Sequence, residues 1–420
     1  MSAGAHDGGR RPDGVVVTGL GTLGAWGLGG AALAEALAGD ALPRLSAIDR
    51  SAGYHRQLGA RRALLLGNAD LSALVSPAAA RRMSAPSKLA VAASRLALRD
   101  AGIAEGDAVF AETAVVLATA FGPAAFTERL LLSIFKEGPE NASPALFTES
   151  VASAAASQVA LNLKARGPNV TVTEREAGAV QTVEDGAKLL RRGQARLALA
   201  GVVEEMTPLL HAILDRFRTL APPDGAGEEV ARPFDRDRRG VLAADGATVL
   251  VLEHAGAAAA RGARVLCRVA AAGSAFDPTA ADNAYGADPE GVAETLRRGL
   301  LRQGIELAAI DRVVSGAAGS RPADRAEGLL LRALWSGGTL PPVLVPKAMT
   351  GEWGGGHLAA AVLAASGNAF GPTPGFRTVD PELGIVPHDG RPLSPPRLTL
   401  VVSLAAGGAV SWLVLGTALS

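Results

Sequence analysis

The sequence predicts an α/β fold of packed helix and sheet layers, arranged in two halves. Three observations point to it. Short apolar runs alternate with stretches of helical periodicity, the rhythm of layered α/β proteins. That rhythm resumes after His254. The composition is 48% hydrophobic but only 4% aromatic, with 51 glycines and abundant alanine, which suits a large core of closely apposed layers.

In the first half, strand-like runs fall at residues 15–21, 113–118, 170–173, 197–203 and 248–253. Each is short and apolar and leads into turn or helix signals. Helical periodicity occupies 87–100, 151–164 and 177–192. In the second half, strand-like runs fall at 265–271, 312–314, 343–345, 398–403 and 410–415, with helical stretches at 291–302, 323–335 and 356–365. The expected division is therefore 1–255 and 256–420, without a short tandem repeat. Residues 222–229 read as a Gly/Pro loop, and 372–396 as a Pro-rich irregular segment packed on the surface. The uncharged stretch 398–416 carries Ser403, Gly407-Gly408 and Ser411 in its middle. Two buried strands around a glycine turn explain it better than a membrane-spanning helix.

Composition also removes functional classes. Lys and Arg total 41 against 41 Asp and Glu, so the chain lacks the basic surplus that nucleic-acid binding needs. Cys267 is the only cysteine, which excludes an internal disulfide and multi-cysteine metal sites and points to a reducing compartment. Residues 1–14 are polar and Gly-rich, without the charged-then-apolar pattern of an export signal. A cytoplasmic location away from membranes is expected.

One motif invites a different function. Gly19-x-Gly21-x-x-Gly24 follows a strand, as in dinucleotide-binding folds, and Asp40 stands near the distance of a ribose-binding acid. However, Ala25-Trp26-Gly27-Leu28-Gly29-Gly30 is a poor start for a phosphate-binding helix. A strand ending in a tight glycine turn is the simpler reading, and no cofactor or metal is expected. An oxidoreductase built on these glycines is kept as a third reading.

Several segments, in order, resemble the β-ketoacyl-acyl-carrier-protein synthases of the thiolase-like fold. The opening VVVTGLGTLGAWG resembles that family's first strand and turn. Arg232-Pro233-Phe234-Asp235-Arg236-Asp237-Arg238-Arg239-Gly240 resembles its PFDxxRxG segment, and Asp245-Gly246-Ala247 stands where the family has Glu-Gly-Ala. Gly167-Pro168-Asn169, Arg191-Arg192-Gly193 and Ala198-Leu199-Ala200-Gly201 follow the family's order, and Lys347-Ala348-Met349-Thr350-Gly351 resembles KxMTGH. The matches span nearly the whole chain. The resemblance implies a five-layer α-β-α-β-α core of two related halves.

Ketosynthase chemistry needs a cysteine thiolate at a helix N-terminus and two histidines that assist decarboxylation and stabilise the enolate. By the family's spacing, the cysteine position is Glu176, counted from either flanking motif. The first histidine position is Gly316, within Ser315-Gly316-Ala317-Ala318-Gly319-Ser320, and Asp324 and Glu327 remain beside it as structural polar groups. The second is Glu352, five residues after the retained Lys347. His357 reads as a core or helix residue. The family's GFGG-like gate appears as Leu404-Ala405-Ala406-Gly407-Gly408, without a phenylalanine. No catalytic residue is therefore expected.

A scaffold kept without its chemistry resembles the chain-length-factor, or ketosynthase-β, subunits of type II polyketide synthases. The resemblance implies a subunit inactive alone, paired with a catalytic ketosynthase and served by an acyl carrier protein, which shapes the acyl tunnel at the heterodimer interface. Glu rather than Gln at the old cysteine position points toward the subgroup that makes reduced polyenes. The alternative reading is a malonyl-carrier-protein decarboxylase or priming subunit using the acidic residues. Glu176 is expected to cap its helix through the dipole and to pair with Lys347 or Arg175. A dimer-contact loop is expected at about 121–148, with Phe121, Ala125, Phe126, Ala145, Leu146 and Phe147 as interface and tunnel candidates.

Overall fold

The computed structural model describes residues 14–51, 53 and 59–418. Residues 1–13, from the segment read for an export signal, lie outside the described residues. The strands of the first half are β1 (Val15–Gly24), β2 (Gly27–Leu28), β3 (Ser46–Ala47), β4 (Arg62–Ala63), β5 (Thr113–Ala118), β6 (Asn169–Val172), β7 (Leu197–Glu204) and β8 (Gly246–His254). Those of the second are β9 (Cys267–Phe276), β10 (Arg312–Val314), β11 (Val343–Leu344), β12 (Leu398–Leu404) and β13 (Ala409–Thr417). Five strands run in the order β6-β5-β7-β8-β1, and five in the order β11-β10-β12-β13-β9. In both sets the two outermost pairs are parallel and the next two antiparallel. The second set thus repeats the first. Pairing of Val15, Val16 and Val17 with Val269, Arg268 and Cys267 joins them edge to edge.

The helices are α1 (Gly30–Ala38), α2 (Pro77–Ala80), α3 (Ala85–Asp100), α4 (Ala124–Glu137), α5 (Pro144–Glu149), α6 (Ala154–Leu163) and α7 (Gly178–Arg191). They continue as α8 (Pro208–Arg216), α9 (Ala255–Ala260), α10 (Pro289–Arg302), α11 (Arg321–Leu334), α12 (Lys347–Thr350) and α13 (His357–Ala365). Three apolar cores define the layers. Side chains of α3 and α6 meet Val115, Leu117, Leu199 and Val249 on the outer face of the first set. Those of α10 and α11 meet Val313, Leu400, Val402 and Val414 on the outer face of the second. Between the sets, α7 and α13 contribute Val180, Val183, Leu358 and Val362 against Leu250 and Leu252 on one side and Val401 and Leu413 on the other. The result is the expected α-β-α-β-α stack.

The sequence of each layer follows from its burial. Strands covered on both faces need nearly continuous apolar runs, as in LALAGVVE of β7, buried throughout. A helix between two sheets must be apolar all round, and every residue of α13 (HLAAAVLAA) is buried. Its alanines let both sheets approach.

The glycine fingerprint has a packing cause. A Cβ added at Gly19 would lie 2.1 Å from the Ala97 carbonyl, and one at Gly21 would lie 1.9 Å from that of Ala93. The two glycines let α3 lie directly on β1. The chain does not turn at Gly21, because β1 continues through Gly24 and α1 starts only at Gly30. Asp40 is exposed beyond α1.

Residues 398–416 form the β12–β13 hairpin. Among the described residues, no helix is long and apolar enough to cross a membrane. The expected loop at 121–148 is mostly helical, as α4 and α5. Of α4 only Leu130 is buried, and other apolar side chains, such as Leu131, Leu132 and Phe135, are exposed. Segment 372–396 packs down, with Leu383 and Ile385 buried.

Candidate functional site

Several strand ends and two helix starts converge at one place. After β6 the chain makes a short 3-10 turn, Arg175–Ala177, and enters α7. Arg175 has φ 44°, in the left-handed region. Glu176 follows it, and its backbone carbonyl accepts a 2.5 Å hydrogen bond from Ser403 Oγ on β12. Gly316 lies just beyond β10: a Cβ there would meet Val402 O at 3.0 Å and approach Ser403 Cα at 3.4 Å. Lys347 opens α12.

Lys347 is 1% exposed, and its Nζ lies 2.6 Å from Glu352 Oε2. Glu352 Oε1 accepts the Gly354 N–H at 2.9 Å. The buried Oε2 of Glu176, by contrast, lacks any hydrogen bond. Burial first, then the Glu352 charge, pushes the Glu176 carboxyl above the usual range, while its own backbone N–H, then Lys347 and Arg175, pull it back. This corrects two expectations. Glu176 does not cap α7, which has no side-chain cap, and Lys347 pairs with Glu352 rather than with Glu176.

The loop carrying Gly316 is held by two buried acids. Glu327 Oε1 accepts Ser315 Oγ at 2.5 Å and the Gly316 N–H at 3.0 Å, and burial pushes its carboxyl up to about 7. Asp324 accepts the N–H groups of Phe234 and Ala318 at 2.9 and 3.1 Å, and burial pushes it up to about 6. His357 is fully buried, and neither ring nitrogen has a hydrogen-bond partner. Burial, then Lys347, pushes its pKa well down, so the ring is neutral. Cys267 sits in the β1–β9 seam, buried, with its thiol pushed up to about 12.

Three site residues had no sequence signal of their own. Glu204 ends β7, and its carboxylate accepts Thr119 Oγ1 at 3.0 Å, the Ala120 N–H and the Phe121 N–H at 3.3 Å. Burial pushes it up to about 8 against these donors. The next residue, Glu205, accepts the Ala125 N–H at 2.7 Å and so anchors the start of α4. Tyr285 lies in the segment between β9 and α10, and its phenol feels the Glu176 and Glu352 charges. An acid pair at the C-terminal end of a strand in the parallel part of a sheet was the one available hint.

The interface candidates lie in or next to α4 and α5. Phe121, Ala145 and Phe147 are exposed, while Ala125, Phe126 and Leu146 are half-buried. Arg129 lies over the Phe126 ring, 5.3 Å from its centre. Leu131, Leu132 and Phe135 of α4 are exposed too, Phe135 at 79%.

Two halves of repeated topology, stacked in five layers around a site at converging strand ends, define a thiolase-like protein. More narrowly, the chain belongs to the β-ketoacyl synthase family: residues 15–258 match the family's N-terminal domain. It is 30% identical to the actinorhodin polyketide β-ketoacyl synthase 1 of Streptomyces coelicolor, over 96% of this chain and 88% of that one. It is also 30% identical to the corresponding synthase 2 from the same organism, over 78% of this chain and 81% of that one. Among solved structures, the ishigamide ketosynthase/chain length factor superposes with a TM-score of 0.87 at 27% identity, covering 97% of this chain and all of that one.

Proposed function

We propose that this chain is the non-catalytic chain-length-factor partner of an active ketosynthase in type II polyketide biosynthesis. One observation carries the reading. Where the family's motif order places the nucleophile, this chain has Glu176, a buried carboxyl held toward its neutral form, while its single cysteine is locked in a strand seam. Gly316 offers no proton-transfer group, and Glu352 is already committed to Lys347. Acyl transfer through a thioester needs an accessible thiolate and groups that move protons, and this set supplies neither. The outward apolar face of α4 supports a partner subunit, since a contiguous exposed apolar patch marks an interaction surface. By this reading the partner is a catalytic ketosynthase, the substrate arrives on an acyl carrier protein, and side chains near Ala125 and Ala145 shape the tunnel end.

The test is co-expression with a ketosynthase that has an intact Cys-His-His set, together with its carrier protein. The expected outcome is a one-to-one complex, with polyketide formed only when both subunits are present. Failure to associate, or unchanged product without this chain, contradicts the proposal.

A further inference from the structure

The segment between β9 and α10, residues 277–288, is tied to the altered site from two sides. Arg175, beside Glu176, donates from Nη2 to Asn283 Oδ1 at 3.0 Å. Gly407, in the β12–β13 turn, donates its N–H to Ala284 O at 2.9 Å. The base of the segment is closed by Asp277, whose carboxylate accepts Thr279 Oγ1 at 2.6 Å and the Asp288 N–H at 3.0 Å. The segment also packs directly on the turn, since a Cβ at Gly408 would lie 2.4 Å from Asp277 O.

Tyr285 follows the two tied residues. With Leu404, Ala405 and Gly408 it lines a cavity of only about 20 Å³, room for about one water molecule. The turn itself supplies nothing bulkier than Leu404, so the tyrosine ring is the large group at this point. Its phenol is pushed well above the usual range by burial, then by the charges of Glu176, Glu352, Asp324 and Glu327.

We propose that Tyr285 and its tied loop form a fixed plug that closes the approach to Glu176 from solvent. A carrier-borne thioester arm then cannot reach this subunit's own altered site. The plug goes beyond the subunit role proposed above, because it can be measured on this chain without any partner.

The test installs a reporter thiol. The full-length Glu176→Cys variant is labelled with iodoacetamide, alone and combined with Tyr285→Ala or Tyr285→Phe. Cys267 is the internal control, since a folded chain keeps it unreactive. The expected rate for Glu176→Cys is at least tenfold below that of the urea-unfolded chain. Adding Tyr285→Ala should accelerate labelling at least tenfold, while Tyr285→Phe, which keeps the ring, should leave it slow. Fast labelling with Tyr285 in place, no acceleration by Tyr285→Ala, or equal acceleration by Tyr285→Phe overturns the plug. Should Tyr285→Ala expose Cys267 as well, Asn283→Ala takes its place. It cuts the Arg175 tie and leaves the ring, and acceleration supports the plug while an unchanged rate overturns it.

Discussion

Burial of Lys347 is tolerated because Glu352 lies 2.6 Å away and is itself held by the Gly354 N–H. Removing one member of such a pair strands the other charge, at a cost of about 3–5 kcal/mol. Glu352→Ala is therefore expected to lower the urea midpoint strongly. Replacing both residues together, as Lys347→Met with Glu352→Leu, should cost less than Glu352→Ala alone. Acids whose burial outweighs any nearby cation give the opposite kind of sensitivity. Asp324, Glu327 and Glu204 hold their protons up to about 6, 7 and 8. An unfolded chain releases such protons at roughly pH 4, so each group's stabilising contribution is complete below that pH and is lost as pH rises through 6–8. The thermal midpoint should fall between about pH 4 and 8, most steeply below about pH 6 where all three groups contribute, and Glu204→Gln should flatten the upper part of that fall. A profile that rises across this window contradicts the burial of these acids. At this scale the family's motif spacing singled out Lys347, Glu176, Gly316 and Glu352 as site positions. It could not reveal Glu204, whose partner Thr119 lies 85 positions away, nor the pairing that takes Lys347 from Glu176.

Among the elements, α4 departs most from what the sequence suggests. The loop expected at 121–148 followed from the family resemblance and not from the spacing of its own residues, and the apolar face of α4 is largely unburied within this chain. Helices α3, α7 and α13, packed into the chain's own cores, were legible from their apolar residues. Leu131→Asp with Phe135→Asp should weaken co-purification with the ketosynthase at least tenfold while shifting this chain's own melting point little. Loss of folding instead would show that the face packs internally. Ala125→Trp and Ala145→Trp should shorten the products of the reconstituted pair, and an unchanged product spectrum removes both positions from the tunnel. The contact of β1 with α3 is as unforgiving as α4 is open. Gly21→Ala drives a methyl into the Ala93 carbonyl and should destabilise by about 3 kcal/mol or more, read as a drop in melting temperature.

For the molecule as a whole, repeated topology and three apolar cores build a scaffold that needs no reactive group at its centre. The layered class and most element positions were legible because each strand and core helix is apolar for its own layer. The edge-to-edge joining of the two sets was not, because three residue pairs across β1 and β9 leave no local pattern. The shape of the site does not depend on a reactive group, since Ser403, Glu327 and Asp324 hold the loops around Glu176 and Gly316 through their own hydrogen bonds. The most direct test of a centre without chemistry is release of CO2 from malonyl carrier protein by the purified chain alone. The expected rate equals the no-protein background and is the same for Glu176→Ala. Release well above background that Glu176→Ala abolishes would contradict it.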